Sequence, residues 1–191
     1  MLTKIISLSI FSVIISNCSI DTIQYLNKIN KVLLEFSINK PLNNSIYFES
    51  CNLVSINTRQ HTNLSLDSVA AKAFLKMEND AAKDSIRFRI ASTFRTFDRQ
   101  AGIIDRKLKR GISIGSILKE NTLPGYSEHH SGRAIDFISE GSSVLSIDFE
   151  KTKTFKWLLK NGTKYGFYLS YPKNNKDGIM YEPWHWMYRN E

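Results

Sequence analysis

The chain has 191 residues, 42% of them hydrophobic and 23% charged, a balance that suits one packed domain and excludes an intrinsically disordered chain. Its formal net charge of +8 suits an anionic partner or surface, whether nucleic acid, lipid or cell wall. No repeat period or heptad run points to a solenoid or a coiled coil.

The first 18 residues, MLTKIISLSIFSVIISNC, place Lys4 before an apolar stretch from Ile5 to Ile15 and reach Cys18. That stretch is too short to cross a bilayer and has the length of a signal-peptide core, so export to the bacterial envelope is expected, with the mature protein facing the periplasm. A cysteine directly after the core resembles the lipobox of bacterial lipoproteins, in which Cys18 would carry the lipid that tethers the protein to the membrane. Asn17 is an unusual residue before such a cleavage point. Cys51 is the other cysteine of the two, so the competing reading is a Cys18–Cys51 disulfide in an oxidising compartment. The two readings exclude each other.

Residues 19–63 are polar and Asn-rich, with apolar runs KVLLEF and SIYFES, and read as a linker with a peripheral helix and strand. Residues 64–191 read as the compact domain. Its first helix is expected from Ser65 to Lys83, where Val69, Ala70, Ala73, Phe74, Met77 and Ala81 recur at helical spacing. Ile86, Phe88 and Ile90 alternate with Arg87 and Arg89, the pattern of a half-buried strand. Asp98 can cap a second helix running to Lys109 and ending at Gly111. The basic cluster Arg106, Lys107, Lys109 and Arg110 then sits where cations complement the helix macrodipole and need no ligand. Nucleic acid therefore has net charge alone in its favour.

After a Pro124-Gly125 turn, Arg133 to Ile138 reads as a strand. A third helix, Lys151 to Lys160, is expected to bury Phe155, Leu158 and Leu159 and to stop near Gly162. YGFYLSYP and EPWHWMYR give two last strands, separated by the turn-rich KNNKDG. Helices and short strands out of strict alternation predict an α+β domain on a mainly antiparallel sheet with flanking helices.

The chemistry concentrates in SEHHSGRAIDF, residues 127–137, which holds two of the four histidines. A catalytic zinc takes three ligands of the His/Asp/Glu/Cys type and leaves one position open. His129 and Asp136 are candidates, with Gly132 letting the backbone fold back between them. A third ligand must come from elsewhere. His61 lies in the polar run QHTN and reads as a surface residue. His185 lies between Trp184 and Trp186, which would shield a site from bulk water. Glu182, three residues earlier and fixed by Pro183, is a candidate general base at a bend before the strand.

These residues carry a family resemblance. SEHHSGRAIDF is similar to the S-x-H-x-x-G-x-A-x-D motif of the VanY-type zinc D-alanyl-D-alanine carboxypeptidases, and EPWHW to that family's second motif. ASTFRTFDRQ resembles the family's S-x-x-R-x-x-x-x-Q segment, and KYGFYLSYPK its strand before the last loop. The resemblance covers roughly Ile86 to Tyr188 and implies the zinc peptidase fold shared with the Hedgehog signalling domain. It implies His129, Asp136 and His185 as zinc ligands and Glu182 as the catalytic base. It also implies Arg95 as the cation facing the developing oxyanion or the substrate carboxylate, with Ser127 and Gln100 as substrate binders. His130 stands where relatives commonly have Gln or another polar residue, and the spacing to Asp136 favours His129 as the ligand. The implied activity is removal of the terminal D-alanine from peptidoglycan stem peptides by a monomer. The alternatives are L,D-carboxypeptidase action on tetrapeptides and a non-catalytic zinc-containing wall-binding module.

Overall fold

A computed structural model describes residues 21–38, 45–139 and 142–190. The expectations for the signal segment and Cys18 lie outside the described residues. Five α-helices are described, α1 (Thr22–Glu35), α2 (Ser68–Lys83), α3 (Phe97–Lys109), α4 (Ile114–Glu120) and α5 (Lys153–Asn161). The strands are β1 (Leu53–Ile56), β2 (Leu64–Asp67), β3 (Arg89–Ser92), β4 (Ala134–Ile138), β5 (Phe167–Leu169) and β6 (His185–Tyr188). β1 and β2 form an antiparallel pair, and the other four make an antiparallel sheet in the order β3-β4-β6-β5. The expected α+β architecture on an antiparallel sheet is what the chain adopts.

Several local expectations shift. Residues 65–67 are strand, and the first helix starts at Ser68 because the Asp67 side chain accepts the Val69 N–H and caps it. Thr96, not Asp98, caps α3, through its hydroxyl and the Arg99 N–H. Asp98 sits in the first turn of that helix, where its charge favours the positive end of the dipole. In α5 Phe155 and Leu158 are buried as expected, but Leu159 is 54% exposed and Trp157 is buried in its place. The Trp157 ring stacks on Tyr165 and its indole N–H donates to Asp84 at 2.7 Å. His61 is half-buried, not on the surface, and its Nε2 accepts the Ile90 N–H at 2.8 Å.

Two apolar clusters organise the molecule. The first packs α2 and α5 against the four-stranded sheet through Phe74, Met77, Ile135, Phe137, Leu158 and Trp186. The second joins α1, α3 and α4 through Tyr25, Ile29, Phe97, Ile104, Ile117 and Tyr126. The chemistry-bearing stretch connects them, since Tyr126 lies in the second cluster and Ile135 in the first.

That stretch folds as a single 3₁₀ turn, Glu128–Ser131, which Gly132 ends at φ +67°. A β-carbon at Gly132 would stand 2.8 Å from both the Asp67 nitrogen and a Leu53 methyl, so both the left-handed backbone and the close approach require glycine. Gly132→Ala is expected to lower stability by roughly 1–3 kcal/mol, from left-handed strain plus overpacking, read as a shift in the urea midpoint at unchanged slope.

Candidate metal centre and its pocket

Asp136 sits on β4 directly opposite His185 on β6, the two central strands of the sheet. Direct cross-strand partners point to the same face, with β-carbons about 5 Å apart. Period-two alternation sends Ile135, Phe137 and Trp186 into the apolar core, so Asp136 and His185 emerge on the opposite face. The 3₁₀ turn brings His129 over the same spot. His129 Nε2 lies 3.0 Å from one Asp136 oxygen and His185 Nδ1 lies 2.8 Å from the other. The three residues offer ligand atoms all within 4.8 Å of one another, and all three side chains are buried. Donors on a tetrahedron with zinc-like bond lengths are about 3.3 Å apart, so little movement would be needed to close on an ion.

The remaining ring nitrogens are held in the sense a metal site requires. His129 Nδ1 is 2.6 Å from the Thr93 carbonyl oxygen, an acceptor, so Nδ1 carries the proton and Nε2 keeps its lone pair. His185 Nε2 lies 2.9 Å from the Glu128 carboxylate, which leaves Nδ1 facing Asp136. A His₂Asp donor set with both outer nitrogens bonded in this way fits zinc.

The electrostatics point the same way. Against the cost of burial, His129 and His185 hold the Asp136 carboxyl well below the usual carboxylate range. Burial alone would depress His185, but its hydrogen bonds to Asp136 and Glu128 outweigh that and raise it to about 10. Burial pushes Glu182 up to about 7, with Asp136 and Glu128 adding to the rise against His185 and Arg95. Its carboxylate is 3.9 Å from His185 Nδ1. Asp136 and Glu182 face the Arg95 guanidinium, and Asp136 and Glu128 flank His185, so the site gathers acidic groups that a bound dication would offset in place of the His185 proton.

These groups line a cavity of about 410 Å³ that also takes in Arg95, Gln100, Ser127 and Tyr171. The three candidate ligands, the candidate base and the three candidate substrate-facing residues therefore border one space. The Arg95 Nε and the Gln100 Oε1 are buried without a hydrogen-bond partner among the described residues, and the Gln100 amide N–H donates to the Thr122 carbonyl at 2.6 Å. His130 stands apart. Its Nδ1 donates to the Arg95 carbonyl at 2.6 Å and its Nε2 accepts the Gly125 N–H at 3.1 Å, so neither nitrogen is free for a metal. It fixes the loop that presents Arg95.

Sequence reasoning passed over Glu128, Thr93 and Tyr171. Glu128 fills an unspecified position of the S-x-H motif. Thr93 acts through its carbonyl, which no side-chain pattern encodes. Tyr171, whose ring centre is 5.0 Å from that of His185, reads in sequence as one more strand aromatic.

Asp136 and His185 on the central strands and His129 on the adjoining turn, beside a carboxylate raised towards neutrality and a guanidinium with its Nε buried, make up a site of the metallohydrolase class. A protein-family model for VanY, D-alanyl-D-alanine carboxypeptidase, matches residues 63–191, and the chain belongs to that family. It is 37% identical over 131 residues to a D-alanyl-D-alanine carboxypeptidase of Enterococcus faecium, covering 66% of this chain and 38% of the relative. It is 35% identical over 130 residues to the putative carboxypeptidase YodJ of Bacillus subtilis, covering 62% and 44%. The chain thus spans less than half the length of either relative. Among solved structures, the LdcB LD-carboxypeptidase superposes with a TM-score of 0.63 at 31% identity, covering 74% of this chain and 69% of that one. The vancomycin-resistance D,D-pentapeptidase VanY, solved as a mutant with Zn(II), has the same fold with a TM-score of 0.59 at 22% identity, covering 78% and 86%.

Substituting alanine at His129, Asp136 or His185 is expected to abolish stoichiometric metal binding measured by elemental analysis, whereas His130→Ala keeps the metal. His130→Ala also leaves the Gly125 N–H and the Arg95 carbonyl unpaired, so its melting temperature should fall by the equivalent of roughly 2 kcal/mol or more.

Proposed function

We propose that the chain is a zinc-dependent D,D-carboxypeptidase that removes the terminal D-alanine from peptidoglycan stem peptides. The observation that carries this reading is the convergence of His129, Asp136 and His185 in one cavity with Glu182 and Arg95. Family membership and the D-alanyl-D-alanine carboxypeptidase relatives support the substrate class. The ion would be held by His129 Nε2, an Asp136 oxygen and His185 Nδ1. When bound, zinc supplies a Lewis acid that polarises the scissile carbonyl and acidifies water.

The protein's own groups do the rest. Glu182 accepts the proton of the attacking water and hands it to the leaving amine, general acid–base work worth about 10²–10⁴-fold. Arg95 stabilises the charge that builds on the scissile oxygen or anchors the terminal carboxylate. Ser127 and Gln100 orient the peptide, and the buried, unpartnered Gln100 oxygen is ready to accept a substrate N–H. The site is complete within one chain, in keeping with a monomer.

The similarity to LdcB, an LD-carboxypeptidase, favours a second reading in which the same machinery trims tetrapeptides. A wall-binding module would have no need of a carboxylate with its pKa raised to about 7 beside the metal ligands.

A wall substrate fits a compartment outside the cytoplasm, where a Cys18–Cys51 bridge and a lipid tether at Cys18 are the two exclusive readings for the two cysteines of the chain. Metabolic labelling with a fatty acid decides between them: a label lost in Cys18→Ala supports the tether, and an unlabelled wild type supports the bridge.

Mass spectrometry of stem peptides incubated with the zinc-loaded protein is expected to show D-alanine released from pentapeptide faster than from tetrapeptide. The reverse preference would establish the L,D reading, and no release from either would favour the binding module. Glu182→Gln should keep zinc and fold but lose at least about 10²-fold in turnover. In the wild type, turnover should fall as acid protonates Glu182, because only the ionised carboxylate accepts a proton. That limb should lie at or below about pH 7, since a bound cation lowers a carboxylate from its metal-free value of about 7.

A further inference from the structure

The residues before the family match take part in the site. Ser45 to Ser50 runs as a strap along the ligand-bearing loop, with the Tyr47 N–H donating to the Gly125 carbonyl at 2.8 Å and the Ser50 N–H to the His130 carbonyl at 2.9 Å. Glu49 accepts the Phe97 N–H at 2.7 Å, which ties the strap to the start of α3. Helix α1 covers it from outside, through the Tyr25 hydroxyl on the Tyr47 carbonyl at 2.9 Å and the Tyr25 ring against Phe48. The strap thereby delivers the Tyr47 hydroxyl to Glu128, where it donates to Oε1 at 3.3 Å.

Glu128 is 4% exposed, and its other oxygen takes two donors, the Ser170 hydroxyl at 2.5 Å and His185 Nε2 at 2.9 Å. A carboxylate has rotational freedom about its last bond. Held at one oxygen alone, Glu128 could swing and release the imidazole, and His185 could then turn over and offer the wrong nitrogen. Tyr47 and Ser170 grip opposite oxygens and remove that freedom.

Resting on the zinc reading above, we infer that Tyr47 is a positioning residue for the metal centre, acting through Glu128 to hold His185 with Nδ1 towards the ion. The functional unit therefore extends past the family-matching residues to a strap some 16 positions upstream of residue 63. Partners of this outer kind are worth about 10–100-fold in metal affinity.

The test uses the full chain and its variants Tyr47→Phe, Glu128→Gln, the double variant and Ser50→Ala. Ser50 lies on the same strap, but its hydroxyl donates to Asp67, not to Glu128. Zinc affinity is read by competition with a chromogenic chelator, the ligand field by the visible spectrum of the cobalt-loaded protein, and fold by melting of the metal-free protein. Tyr47→Phe is expected to weaken zinc about tenfold and alter the cobalt spectrum, with metal-free melting no lower than that of Ser50→Ala. The double variant should bind zinc no more weakly than Glu128→Gln alone, because Tyr47 acts through Glu128. Zinc affinity within twofold of wild type in Tyr47→Phe overturns the inference, as does additivity in the double variant or an equal zinc loss in Ser50→Ala. Those outcomes leave the zinc reading standing. A wild type that takes up no zinc overturns both.

Discussion

The pairing of Asp136 with His185 across the two central strands is the constraint on which the rest of the site depends. Central strands are hydrogen-bonded on both sides, so their side chains leave from a backbone that cannot drift. Behind them Ile135, Phe137 and Trp186 are locked into the main core. With two candidate ligands there, the third comes from a loop, and His129 arrives on a single 3₁₀ turn stopped by Gly132. The backbone bond from the Arg95 N–H to the His129 carbonyl, and that from His130 Nδ1 to the Arg95 carbonyl, then lace the arginine's loop to the same turn. The three candidate ligands and Arg95, the proposed substrate-facing cation, are thus registered to one another through the backbone.

Such an arrangement is costly without its ion. Asp136, Glu128 and His185 are all less than 6% exposed, and burying charge is unfavourable unless it is paired. In the metal-free chain the pairing is done by a proton on His185, which the two flanking carboxylates raise to about 10. A cation entering the site has to displace that proton, so metal uptake and proton release are coupled. Burial leaves Glu182 with a pKa of about 7, which suits the base role proposed for it, since proton transfer is most efficient when the catalytic pKa lies near the working pH.

Much of this was legible in the sequence because it is written in local spacing. The strand at Ala134–Ile138 follows from alternation and the bend at Glu182 from Pro183, while His129, Asp136 and His185 stand together as a set through the resemblance to the carboxypeptidase motifs. What escaped was non-local. Thr96 outcompeted Asp98 as the cap because Phe97 has to turn inward to Tyr25, with its N–H on Glu49, a contact between segments 48 residues apart. Helix α4 is seven residues long and contains Gly115, too short and too weak a pattern to stand out, and it is anchored by Ile117 in the second cluster. Glu128 fills an unspecified motif position, and its three partners Tyr47, Ser170 and His185 lie 42 to 81 positions away. The run SIYFES lies in a segment read as a linker with a peripheral helix and strand, and it forms a strap of backbone hydrogen bonds, which leaves no periodic trace.

The central claim is that the site holds one zinc through His129 Nε2, Asp136 and His185 Nδ1, with His130 excluded. Anomalous diffraction at the zinc edge from crystals of the metal-loaded protein tests it most directly. The account predicts a single strong peak about 2.0–2.2 Å from those three groups, with His185 Nε2 still on Glu128. A peak ligated by His130, or by His185 through Nε2 with the Glu128 contact broken, would contradict it.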